Sequence, residues 1–415
     1  MILLLVIVFI MAAALVALAK WRLALSIIIV VAAFQDPIRK LMPGTPGWMT
    51  LLSVPIFLAA VTAGRVALPR WWSQFREFYP TISKRLAILA ILVLPAAAIS
   101  VTYGSGSWQY TLLGIFSYSM IFVSIVFGFH YGRNINAIRR MLAFYVIVHA
   151  VMLSGGVLQH LEIFAESKIL GDSVFGNAAV RYIPGYIVKL LSGFYRSADV
   201  MGWHAAAVCT IAMILAFSSS SKHRWFWILV SGWAILALFL CGRRKMAYMI
   251  PIFLMSLTWI YFYVGRAAQV VPILGFLLIP VVSVYYVNDF LGEDSSQVHY
   301  YTSAQEGDGT FDRFSEHGFA SLIETFRQSG FFGAGLGFAT PGSHNISAPR
   351  PRIWQESGTS RVLVELGVPG FLGFIGVIAA IVTALWRVTR RHLLARTPAG
   401  TFAAGLMSFF VANIG

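Results

Sequence analysis

The sequence predicts an all-α fold: a polytopic transmembrane helix bundle of about twelve spans, with two partly helical segments on the outer face. Two observations predict it. Hydrophobic residues make up 58% of the chain and charged residues only 11%. Apolar runs of about 17–25 residues, long enough to cross a hydrocarbon core, recur from end to end. Backbone polar groups in lipid need partners within the chain, so such runs must be helices.

The first run, 2–19, ends Ala17-Leu18-Ala19, loosely like a signal-cleavage site. No basic stretch precedes it and a shorter run, 21–34, begins at once, so it reads as a first membrane helix. Runs 48–68, 85–103, 108–129 and 141–158 come next. After the first outer segment, 159–200, lie 201–219, 225–241, 246–264 and 269–288. The second outer segment, 289–367, leads into 368–386, and the run 402–415 comes last. It stops at Asn413-Ile414-Gly415 without a polar tail, which suggests a truncated end. Cys209 and Cys241 fall within runs and read as small buried residues, with no disulfide or Cys-based metal site to build from them. No internal repeat stands out, nor the paired broken segments of inverted-repeat transporters.

Loop charges orient the bundle. Alternate loops (20–22, 65–85, 130–140, 222–224, 266 and 387–396) hold 17 Lys/Arg and one acid, Glu77. The remaining sequence holds 14 Lys/Arg and 15 acids, so the first set marks the cytoplasmic face. The net charge of +15 is therefore mostly topology, and its scatter over short loops argues against a nucleic-acid partner. The outer segments hold nearly all the acids and His160, His299, His317 and His344. They read as folded caps or re-entrant pieces, and as the place for chemistry.

One turn breaks the pattern. Arg243-Arg244-Lys245 falls on the outer face, where basic residues are disfavoured during insertion. A snorkelling interfacial loop is the structural alternative; holding an anion is the functional one. Arg181, Arg196 and Arg361 lie on other outer elements. Guanidinium groups fork onto phosphate oxygens and keep their charge, so together these arginines suit a phosphate cluster. Arg196 with Asp199, and Arg361 with Glu365, have the spacing of plain helical ion pairs as an alternative. Glu356, beside Trp354, has the surroundings of a general base or simply of a solvated glutamate. Gly333, Gly335 and Gly337 lack the strand–turn–helix setting of a dinucleotide loop and read as letting the outer segment fold back. No metal-ligand spacing occurs, and no metal or cofactor is expected.

Four stretches in order resemble the bacterial O-antigen ligase and Wzy-type polysaccharide polymerase superfamily. Asp36-Pro37-Ile38-Arg39-Lys40-Leu41-Met42-Pro43-Gly44 looks like its early outer loop, and Phe194 to Gly202 like the entry to a middle helix. Cys241-Gly242-Arg243-Arg244 is similar to its Ser/Gly-Arg turn. Gly333 to Gly337, then Val364-Glu365-Leu366-Gly367-Val368-Pro369-Gly370, resemble the closing outer loop and the helix after it. The resemblance implies a metal-independent glycosyltransferase of the bacterial inner membrane with its active site facing the periplasm. It would move a glycan from an undecaprenyl-diphosphate carrier to a saccharide acceptor, beside other polysaccharide assembly proteins. Outer arginines would bind the diphosphate and a base would activate the acceptor hydroxyl. Family members often place His-Asn about nine residues before Glu-Leu-Gly; here Glu356 stands there and His344-Asn345 lies upstream. The base is thus Glu356 or His344, and ligase and polymerase both stay open. A transporter or flippase of lipid-linked glycans is the main rival; it needs polar groups at mid-membrane depth, and the runs hold little beyond His149 and His204, read as near helix ends.

Overall fold

The computed structural model describes residues 2–164, 166–171, 173–175, 180–183, 186–219, 221–266, 268, 271, 275, 321–343, 346–348, 353 and 358–414. In chain order its helices are α1 (Ile2–Ala19), α2 (Ala24–Leu41), α3 (Ser53–Ala67), α4 (Trp71–Phe78), α5 (Pro80–Ser100), α6 (Trp108–Tyr131) and α7 (Ile135–His160). An antiparallel hairpin of β1 (Val180–Ile183) and β2 (Tyr186–Lys189) follows. Then come α8 (Ala198–Ser218), α9 (Ser221–Leu240), α10 (Arg244–Ala247), α11 (Met249–Tyr263), α12 (Ser321–Ser329), α13 (Gly358–Leu394) and α14 (Pro398–Ala412).

The fold is helical, as the composition requires. Among the described residues, eight helices are long and apolar enough to cross a membrane. Leu3–Ala19 and Ala399–Ala412 are apolar but shorter, and all but the first three residues of the run 21–34 lie within α2. The run 269–288 falls outside the described residues except for 271 and 275.

Three boundaries differ from expectation, each for a physical reason. Helix α2 continues to Leu41, because Asp36 and Lys40, which end the apolar run, are buried and hydrogen-bonded. Helical structure in α13 begins at Gly358, ahead of 368, but Gly367 (φ 63°, ψ −168°) breaks it, so the run 368–386 starts where expected and a short helix bearing Arg361 and Glu365 precedes it. The segment 159–200, expected to be partly helical, carries the hairpin, where β-branched and aromatic residues of both strands favour extended backbone.

The chain forms two compact units. Unit 1 comprises Met1–Val66, Asn134–Ser303 and Arg387–Ile414. Helix α8 is its axis, with α7, α9 and α14 packed around it. Its run Ala205-Ala206-Ala207-Val208-Cys209 is wholly buried, since small side chains let neighbouring helices approach closely. Cys209 Sγ meets Ser231 Oγ on α9 at 3.2 Å, a buried polar contact between two small side chains.

Unit 2 comprises Ala67–Arg133 and Ala304–Trp386, with Gly415. Helices α5 and α6 form an antiparallel pair, and the glycine-rich loop after α12 lies across it. Leu336 N–H donates to Ala96 O on α5 at 3.0 Å, and Ala334 N–H donates to Val364 O on α13 at 2.7 Å. Gly337, at φ +88°, sits where any Cβ would run into the Tyr110 carbonyl of α6. So the alternating glycines serve backbone-on-backbone packing within this unit.

Gly337→Ala should therefore destabilise unit 2 by more than about 2 kcal/mol, adding a backbone clash to the cost of left-handed φ. Gly342, at φ +94°, has open space around its Cβ position, so Gly342→Ala should cost only about 1 kcal/mol. Thermal unfolding of both variants in detergent measures the difference; equal losses would contradict the packing described.

Candidate functional site

A tight turn before α8 organises unit 1. Its sequence is Ser192-Gly193-Phe194-Tyr195-Arg196, and side chains from α2 and α7 bond four of its backbone polar groups. Gln159 Oε1 accepts the N–H groups of Ser192 and Gly193 at 3.1 and 2.8 Å. Lys40 Nζ donates to the carbonyls of Gly193 and Ile169 at 2.9 and 3.1 Å. Asp36 Oδ2 accepts the Arg196 N–H at 3.1 Å. The turn fits only because Gly193, at φ +54°, rests on the backbone of Gly155 and Gly156 in α7; a Cβ there would lie 2.5 Å from Gly156 N.

With its backbone held, Arg196 leaves its own side chain exposed. Three residues later Asp199 stands in the first turn of α8, capped by Ser197, whose Oγ accepts the Val200 N–H. Asp199 Oδ2 holds Arg243 Nη2 at 2.9 Å, and Oδ1 lies 3.4 Å from Lys245 Nζ. The expected pairing of Arg196 with Asp199 within one helical turn is thus replaced by a bond between elements. The turn bearing Arg243 is set by Gly242 at φ +66°, whose Cβ position is 2.5 Å from Leu190 at the exit of β2. Arg243 is largely buried and Asp199 about half-buried.

Arg196 stands three residues before Asp199, within about 11 Å along the chain. Arg244 follows Arg243 directly as the first residue of α10. On α2, Arg39 Nε donates to Thr45 O at 2.9 Å and its guanidinium lies 4.7 Å from the Phe175 ring centre. Arg39, Lys40 and Arg196 thus lie about Asp36, and Arg243 and Lys245 about Asp199, three residues of chain from Arg196. Asp36 lies beyond the apolar run 21–34. Burial pushes its carboxyl above the usual range, while Arg196, Lys40 and Arg39 pull it back. An excess of cations beside the N-terminus of α8, where helical N–H groups point outward, is suited to an anion.

Arg181 lies on β1 of the same unit, opposite Val188. Arg361 belongs to unit 2, as the fourth residue of α13. Glu356 and His344, the two expected bases, lie outside the described residues. Within unit 1 the structure pairs Arg243 with Asp199, which lies three residues after Arg196, and Arg244 follows Arg243 directly.

In unit 2, Arg361, four residues earlier, acts on Glu365 through its charge, but the hydrogen bonds of that carboxylate go to other elements. The fully buried carboxylate turns to the glycine-rich loop, where Oε1 accepts the Ala339 N–H at 2.9 Å and the Thr340 hydroxyl at 2.8 Å. The reason is that backbone donors in a loop packed against α13 need an acceptor, which solvent cannot supply there.

Deep in unit 1, His149 and His204 stack with ring centres 4.0 Å apart. Tyr195 Oη meets His149 Nδ1 at 3.0 Å, and Tyr145 Oη meets His204 Nδ1 at 2.8 Å. His149 is not near a helix end, as expected from the sequence: it lies eleven residues before His160, roughly 17 Å along α7. The sequence marks Asp36 and Lys40 only as part of a stretch resembling an early outer loop, without their role, and gives Gln159 none. The one available signal was a pair of opposite charges four residues apart, on one face at the end of an apolar run.

No protein-family profile, curated protein or solved structure matches this chain. Among the described residues, no group of His, Cys, Asp and Glu has the arrangement of a metal site.

Glu365→Ala should strand the Ala339 N–H and the Thr340 hydroxyl, at about 1–3 kcal/mol each. Glu365→Gln keeps an acceptor oxygen and should lose less than half as much. Thermal unfolding, with hydrogen exchange at residues 333–343, reports both; identical behaviour of the two variants would contradict the bonding described.

Proposed function

We propose that this membrane protein is a glycosyltransferase that moves a glycan from an undecaprenyl-diphosphate carrier to a saccharide acceptor, as a polysaccharide polymerase or O-antigen ligase does. The observation that carries this reading is the pairing of Arg243 and Lys245 with Asp199, beside Arg244 in sequence and three residues after Arg196. A diphosphate with two or more negative charges matches that excess. The four sequence stretches that resemble the O-antigen ligase superfamily name the diphosphate as a lipid-linked one.

In the transfer, the acceptor hydroxyl oxygen attacks the anomeric carbon of the carrier-linked sugar. The bond from that carbon to the diphosphate oxygen breaks, and the electron pair leaves with the diphosphate. The acceptor proton passes to a base, for which Glu356 and His344 are the candidates. Negative charge grows on the leaving oxygen, so cations fixed before the reaction lower the barrier without reorganising during it. Arg196, Arg243 and Arg244 fill that role in unit 1, with Arg181 nearby in sequence on the hairpin. In this proposal the cluster faces the periplasmic side of a bacterial inner membrane, as the loop charges require.

One observation favours a second reading. The His149–His204 stack with Tyr145 and Tyr195 places polar groups in the middle of α7 and in the second turn of α8, as a transporter or flippase of lipid-linked glycans would need.

Alanine at Arg243 or Arg244 should abolish glycan transfer in cells while the protein still inserts at normal levels. The checks are gel analysis of polymer length and membrane immunoblotting. Polymer of normal length would sink the proposal, and donor accumulating on the cytoplasmic side would favour transport.

A further inference from the structure

We propose that Asp36 and Lys40 are positioning residues that set where the Arg196 guanidinium stands. The inference rests on the diphosphate reading of the same site. The two residues are four apart on α2, so they share a face. Both are buried, with 3% and 1% of their surfaces exposed. Charges taken out of water at this depth cost several kcal/mol each, and apolar residues of similar volume would join α2 to the turn more cheaply. What the charges add is geometry. Asp36 fixes the N–H of Arg196 itself, and Lys40 fixes the carbonyl three residues earlier.

The turn is therefore gripped from both sides of the residue whose side chain is left exposed. Gly171 N–H shares the Gly193 carbonyl with Lys40, which ties the earlier part of the segment to the same point. Freed of the Asp36 bond, residue 196 would keep its charge but lose the fixed direction of its Cα–Cβ bond. An anion would then have to order the guanidinium at its own expense.

A double-mutant cycle in the full-length protein in nanodiscs tests this, with undecaprenyl diphosphate as the probe and its dissociation constant as the readout. Asp36→Ala should weaken binding on the order of tenfold, about the worth of one charge-assisted hydrogen bond, and as much as Arg196→Ala does. The double variant should bind no worse than either single one. Asp36→Asn, which keeps an oxygen for the Arg196 N–H, should restore most of the loss. Additive losses, or no rescue by Asn, would overturn the proposal, because a merely structural role predicts both. If Asp36→Ala does not fold, Lys40→Gln completes the same cycle with the same criteria. Arg243→Ala separates the two levels. If it binds the probe as the wild type does, the diphosphate reading fails; if it loses binding while Asp36 and Arg196 act additively, only the positioning role fails.

Discussion

Lys40 buries an ammonium group between two backbone carbonyls of a segment more than a hundred residues away. Unsatisfied, that charge would not be tolerated in the interior, and neither would the carbonyls it meets. Satisfied, it fixes the one turn on which the cation cluster of unit 1 depends. Gly193 brings the backbone within reach, Gln159 takes its N–H groups, and Asp36 takes the N–H of Arg196. Asp199 then receives Arg243 from a turn set by Gly242. Each step depends on the one before it.

Unit 2 solves the same problem in the same way. Glu365 plays toward residues 339 and 340 the part that Asp36 plays toward residue 196. In both places glycines allow non-helical backbone to lie against a helix, and a buried carboxylate accepts the donors that this backbone exposes. Irregular backbone against apolar helices has few water partners, so its polar groups must be met by side chains. Opposite charges at i,i+4 on such a helix thus have two fates. They pair with each other when solvated, or turn outward to a loop when buried.

The helical fold was legible because apolar runs set helix positions with little help from tertiary context. Runs 108–129 and 201–219 lie within α6 and within a residue of α8, since hydropathy and helix end together there. It fell short at α2, where charges at 36 and 40 stop the hydropathy signal but meet long-range partners, and ahead of the break at Gly367, where Arg361 and Glu365 hid a short helix. The hairpin at 180–189 was missed because two four-residue strands leave too short a pattern to separate from helix. For the site, residue chemistry pointed to Arg196, Arg243 and Arg244, since basic residues on the outer face violate a topological bias. What holds them was not legible. Asp199 reads locally as a partner for Arg196, and Gln159 carries no signal at all.

The central claim, that the cluster around Asp199 acts on a lipid-linked glycan, is tested most directly by reconstitution. Purified protein in nanodiscs receives an undecaprenyl-diphosphate-linked glycan and a saccharide acceptor, and release of free undecaprenyl diphosphate is followed by mass spectrometry. The account predicts release together with a lengthened or transferred glycan, both lost in Arg243→Ala. Intact donor after incubation with the folded wild-type protein, or equal release from Arg243→Ala, would contradict it.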